Sequence, residues 1–126
     1  MPAERAKRIL VVDHNESVRG LIVRALWGEG YEEVAVRDGM AGLEAALGAG
    51  EPYDLVITSG HMPHIDGREL TARLRARRPK LPIIHLDDLS PSFSGLPNNV
   101  PNFYKPFSGE ALINGVRRLL GGRATG

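Results

Sequence analysis

Leu55-Val56-Ile57-Thr58-Ser59-Gly60-His61-Met62-Pro63-His64-Ile65-Asp66-Gly67 is the stretch that decides the fold. It opens on an unbroken apolar run, the pattern of a strand buried on both faces. It then turns polar and ends in Asp-Gly, a turn and helix-start signal. Two similar runs stand on either side. Ile9-Leu10-Val11-Val12 leads into Asp13-His14-Asn15-Glu16, and Pro82-Ile83-Ile84-His85-Leu86 leads into Asp87-Asp88. Glu33 to Val36 reads as a weaker strand near an edge. Asn102-Phe103-Tyr104 reads as a short fifth strand before Lys105-Pro106-Phe107.

Helical patterns separate these strands. Val18, Leu21, Ile22, Ala25 and Leu26 recur at helical spacing, with Asn15 or Glu16 near the start and Gly30 beyond the end. Trp27 and Tyr31 are expected to pack at that helix end. Met40 to Leu47 forms a short Ala-rich helix closed by Gly48. A third helix runs from about Gly67 to Arg78 and stops at Pro79. Its Arg73, Arg75, Arg77 and Arg78 are expected to form a solvated basic face. The last helix takes Ser108 as N-cap and carries the stripe Leu112, Ile113, Val116, Leu119 and Leu120. Strands and helices alternating in this way give a parallel sheet with helices on both faces and right-handed crossovers. Chemistry in such folds gathers at the carboxyl ends of the strands.

The composition narrows the function. The chain has 126 residues, 42% hydrophobic and 25% charged, which fits one domain over residues 1–126 with flexible ends at 1–7 and 121–126. A net charge of +1 gives no strong pull toward nucleic acid or membrane. The absence of cysteine excludes disulfides and thiolate chemistry and fits a cytoplasmic protein. No apolar run approaches the roughly 20 residues of a membrane span.

The order of these motifs resembles the response-regulator receiver domain, a CheY-like fold. Asp after strand one, M-P-x-x-D-G after strand three and K-P-F before the last helix together cover essentially the whole chain. The resemblance implies a doubly wound, five-stranded parallel sheet of flavodoxin-like order 2-1-3-4-5. It also implies a two-component phosphorelay in which strand one supplies two acids for Mg²⁺. In that family an aspartate ending strand three takes the phosphoryl group. A Thr or Ser ends strand four, and a lysine precedes a cis proline. The chemistry needs a carboxylate nucleophile, oxygen ligands for a hard cation, and a cation on the phosphoryl oxygens.

This chain departs from that pattern. Asp13 is retained, but His14 replaces the second acid and Ser59 stands at the phospho-acceptor position. Asp87 falls where the hydroxyl is expected, with Asp88 next to it. Lys105 and Pro106, the candidate cis proline, are retained. Asn102 takes the place of the aromatic switch residue. A serine hydroxyl is a poor nucleophile without an activating base or metal. A carboxylate at Asp87 would repel an incoming phosphoryl oxygen by about 4 kcal/mol at about 4 Å under surface-like screening. The expectation is a degenerate site with no catalytic residue, weak or absent Mg²⁺ binding and no other cofactor. Lys105 is expected to pair with Asp87 or Asp13.

Between Asp87 and Lys105 the chain reads Leu89-Ser90-Pro91-Ser92-Phe93-Ser94-Gly95-Leu96-Pro97-Asn98-Asn99-Val100-Pro101. Three prolines and a glycine predict a loop or a single turn where receivers carry a fourth helix. Phe93, Leu96, Asn102 and Tyr104 are therefore candidates for an interaction surface. The histidines His14, His61, His64 and His85 read as loop and strand residues rather than a metal site. Asp66-Gly67 reads as a helix start, and Thr58 as a packed strand residue. Asp54 lies at the wrong strand end to accept phosphate. The resulting expectation is a non-enzymatic pseudo-receiver acting through protein partners: a histidine kinase, a fused output domain or a second copy. Two alternatives stand beside it: a receiver switched at Ser59 or at a displaced carboxylate, and a small-ligand sensor lined by Asp13, His14, Ser59, Asp87 and Lys105.

Overall fold

The computed structural model describes residues 6–48, 50, 52–60, 62, 64–88, 102–105 and 108–120, the side chains of 87–88 and 102–105 excepted. The elements run β1 (Arg8–Val12), α1 (Glu16–Trp27), β2 (Glu32–Val36), α2 (Gly39–Leu47), β3 (Leu55–Ser59), α3 (Gly67–Arg77), β4 (Ile83–Asp88), β5 (Asn102–Lys105) and α4 (Gly109–Leu120). Hydrogen bonds join the strands in the order β2-β1-β3-β4-β5, and every pair is parallel. The loop expected at Leu89 to Pro101, with Phe93 and Leu96, lies outside the described residues. So does Pro106.

Strand alternation builds two cores. On one face Ile9, Val11, Leu55, Ile57, Ile84 and Leu86 pack against Ile22 and Leu26 of α1 and against Leu112, Ile113 and Val116 of α4. On the other, Leu10, Val12, Val56 and Ile83 pack against Ala46 of α2 and Leu70 and Leu74 of α3. Successive strand residues point to opposite faces, so the two layers come from the same runs. Full burial of a Leu or Ile side chain contributes about 2 kcal/mol, which makes these paired layers the main source of stability.

Short polar side chains start each helix. The Asn15, Asp38 and Asp66 carboxyl or amide oxygens accept from Val18 N, Ala41 N and Glu69 N at 3.1, 2.8 and 2.8 Å. Ser108 Oγ accepts from Ala111 N at 3.0 Å. Each satisfies an amide that the helix itself leaves open. Among the described residues no helix is long and apolar enough to cross a membrane.

Three expectations need correction. Trp27 does not pack: it is 76% exposed, while Tyr31 is buried in the α1–α4 core. Leu21 is 47% exposed, because Ile22 and Leu26 set the inward direction of α1 and Leu21 lies one residue round from it. The basic face of α3 is only partly solvated. Arg73 reaches Glu69 on the surface at 2.5 Å, but Arg75 Nε donates to the Leu81 carbonyl and Arg78 Nη1 to the Tyr53 carbonyl, both at 2.8 Å. Those two arginines fasten the end of α3 to the amino edge of the sheet.

Candidate functional site

The carboxyl ends of β1 and β3 lie side by side at the centre of the sheet. Their register pairs Val12 with Thr58, and one step further brings Asp13 beside Ser59. Hydrogen bonds continue past both strand ends: Asp13 N donates to the Val36 carbonyl at 3.2 Å, and Gly60 N donates to the Leu86 carbonyl at 2.9 Å. Asp13 follows Ile9 and Val11 in the alternation, and Ser59 follows Leu55 and Ile57. Both positions therefore fall on the α1–α4 face.

Asp13 is fully buried. Its Oδ1 accepts from Asn15 N at 2.9 Å, and Arg19 Nη1 donates to its carbonyl at 2.8 Å. The carboxylate thus helps turn the chain into α1, and α1 reaches back to hold the turn. His14 points outward, its side chain 51% exposed, with Nδ1 3.8 Å from Asp13 Oδ1. Ser59 is 1% exposed, and its Oγ has no hydrogen-bond partner among the described residues. Its carbonyl accepts from Thr58 Oγ1 at 3.1 Å, which makes Thr58 a buried, packed strand residue.

The loop after β3 closes directly onto the site. Gly67 N donates to the Gly60 carbonyl at 2.8 Å. A Cβ at position 67 would overlap the Ser59 carbonyl and come within 2.9 Å of His85 Nε2. Only glycine fits this approach of the α3 start to the end of β3. Thr71 Oγ1 donates to the Gly67 carbonyl at 2.8 Å and extends the contact by one turn. Asp66 is the cap of α3, the role expected of the Asp-Gly pair. Asp54 lies at the amino end of β3, where its Oδ2 accepts from Arg8 N at 2.7 Å.

His85 is the site residue that the sequence reading undervalued. It is fully buried on β4, opposite Thr58, against the start of α3. Period-two alternation from Ile83 would have placed it facing that helix. At the other edge of the site, β4 and β5 pair Asp87 with Tyr104 and Asp88 with Lys105, while Asn102 pairs with His85. The backbone thus carries both acids and the lysine to one end of two neighbouring strands. The side chains of Asp87, Asp88, Asn102, Tyr104 and Lys105, and with them the expected Lys105 ion pair, lie outside the described residues. His64 takes a positive φ of 69° in the loop before α3, and His61 is outside the described residues. Among the described residues no three His, Cys, Asp or Glu side chains cluster so as to hold a metal ion.

The arrangement matches known proteins. Residues 9–89 match the family model described as the response regulator receiver domain. Response regulator MprA of Mycobacterium sp. (strain KMS) is 36% identical over 117 residues, covering 90% of this chain and 50% of that protein. The chain therefore spans about half the length of the curated relatives it matches. Among solved structures, the response regulator TrrA of Thermotoga maritima, in complex with Mg²⁺-BeF, is 34% identical with a TM-score of 0.80, covering 90% of this chain and 98% of that one. A response regulator receiver protein from Sinorhizobium medicae superimposes with a TM-score of 0.83 at 25% identity, covering 93% and 96%. The fold, the strand-end site and these likenesses agree: the chain belongs to the response regulator receiver domain family, the signalling domains of two-component systems.

Proposed function

We propose that this receiver domain signals without phosphoryl transfer, by protein–protein contact in a cytoplasmic two-component pathway. The observation that carries this reading is Ser59 at the end of the central strand, buried and with a hydroxyl that has no partner among the described residues, where the family places its acceptor aspartate. Among the described residues no base accepts a hydrogen bond from that hydroxyl, and a serine hydroxyl without an activating base or metal is a poor nucleophile toward an acyl phosphate near neutral pH. Its burial also closes it to a Ser/Thr kinase, which disfavours a switch by modification of Ser59.

The donor set fits Mg²⁺ poorly. The family's metal needs several oxygen ligands. Here Asp13 is one buried carboxylate already bound to Asn15 N, its neighbour is an outward-facing imidazole, and Ser59 offers only a hydroxyl. Lys105, carried by β5 to the same end of the sheet, neutralises Asp87 or Asp13 in place of cation and phosphate. Partners are a histidine kinase or an output domain, recognised through a surface held in one state.

Incubation with acetyl phosphate and Mg²⁺ followed by intact-mass spectrometry tests the proposal. An unmodified chain is expected. A phosphoryl adduct on any residue overturns it.

A further inference from the structure

Two of the three large apolar side chains most open to solvent among the described residues, Trp27 and Leu21, lie on α1. Between the ends of that helix sits Gly20, and a Cβ there would meet nothing within 4 Å. A glycine inside a helix weakens it, and no contact among the described residues requires one at this position. By contrast the outward positions of α4 are polar, with Glu110, Asn114, Arg117 and Arg118. Between these two helices, among the described residues, the face with exposed large apolar side chains is that of α1.

The charges on this face are arranged about Gly20. Glu16 lies four residues before it and Arg24 four residues after, both exposed and on one helical stripe. Neither makes an ion pair among the described residues. This pattern is complementary to itself when reversed. We propose that α1 is a self-docking face, two copies packing α1 against α1 in antiparallel fashion about a two-fold axis at Gly20. Glycine at the crossing lets the two backbones approach closely. Glu16 of each copy then meets Arg24 of the other, twice by symmetry. The two Leu21 side chains meet beside the axis, and each Trp27 covers the opposite end of the other helix, near His14. A parallel pairing would set Glu16 on Glu16 and is excluded by like charge.

Sedimentation velocity and Trp27 fluorescence on the 126-residue chain test this, since Trp27 is its one tryptophan. With concentration raised from low micromolar to several hundred micromolar, a dimer is expected to form. The emission should shift to shorter wavelength along the same curve. Gly20→Gln should abolish the dimer while raising the melting temperature, because glutamine is the better helix former. Glu16→Arg and Arg24→Glu should each weaken association about tenfold or more. Combined in one chain they should restore it. A monomer at every concentration overturns the proposal. So does a dimer indifferent to Gly20→Gln, or a double charge exchange that fails to restore association.

Discussion

The Ser59 carbonyl occupies the space that any side chain at position 67 would need. Gly67→Ala must therefore push the start of α3 off the end of β3. Overpacking of this kind costs about 3 kcal/mol. Urea denaturation should show that loss. Gly20→Ala, with open space around it, should instead gain about 0.5–1 kcal/mol. Equal effects at the two glycines would contradict the packing described here.

Ser59 itself gives a second contrast. Its hydroxyl is buried and has no partner among the described residues, so Ser59→Ala should be neutral or stabilising by up to about 1 kcal/mol. Ser59→Asp buries a carboxylate one step across from Asp13 and should cost about 3 kcal/mol at pH 7. Burial and the adjacent carboxylate would raise the new group's pKa in the folded state. The penalty is then full at neutral pH and fades as pH falls through that raised value. Melting temperatures recorded from pH 7 downward should show the variant converging on the parent. Added Mg²⁺ should not rescue it, because the variant still has His14 in place of the second acid.

Tyr31 couples stability to alkaline pH. Its phenol is held above the ordinary value of 10.0, first by burial and then by the nearby Glu29 carboxylate, with Arg117 opposing. Glu29 and Arg117 form an ion pair that bridges the end of α1 to α4. A phenol whose folded pKa is raised contributes stability below the unfolded pKa. That contribution is lost as pH rises from about 10 through the folded value. Tyr31→Phe removes a buried hydroxyl that has no partner among the described residues and should raise stability at pH 7 by about 1 kcal/mol. It should also flatten the decline above pH 10. Thermal melts between pH 8 and pH 11 would show both effects.

Much of this was legible in the sequence. The buried runs at Ile9, Leu55 and Ile83 gave three strands, because a central parallel strand must be apolar on both faces. Asn15, Asp66 and Ser108 announced helix starts by residue type alone. What could not be read was direction about a helix axis. Leu21 and Ile22 are equally apolar, and only the packing of Ile22 and Leu26 against the sheet shows that Leu21 and Trp27 face outward. Arg75 and Arg78 looked solvated because the carbonyls they bind, Leu81 and Tyr53, are brought near only by the fold. At the site, Asp13 and Ser59 could be named from the strand ends. Asp66-Gly67 announced a helix start, but the contacts of Gly67 with Ser59 and His85 that exclude a Cβ there are made only in the fold.

As proposed above, this receiver domain is not switched by phosphoryl chemistry at the ends of β1 and β3. The most direct test is a titration of the ¹⁵N-labelled chain with beryllofluoride and Mg²⁺, followed at the backbone amides of Asp13, Ser59, Gly60 and Gly67. These resonances are predicted to stay in place at every concentration. Saturable shifts centred on Ser59 and Gly60 would contradict the account.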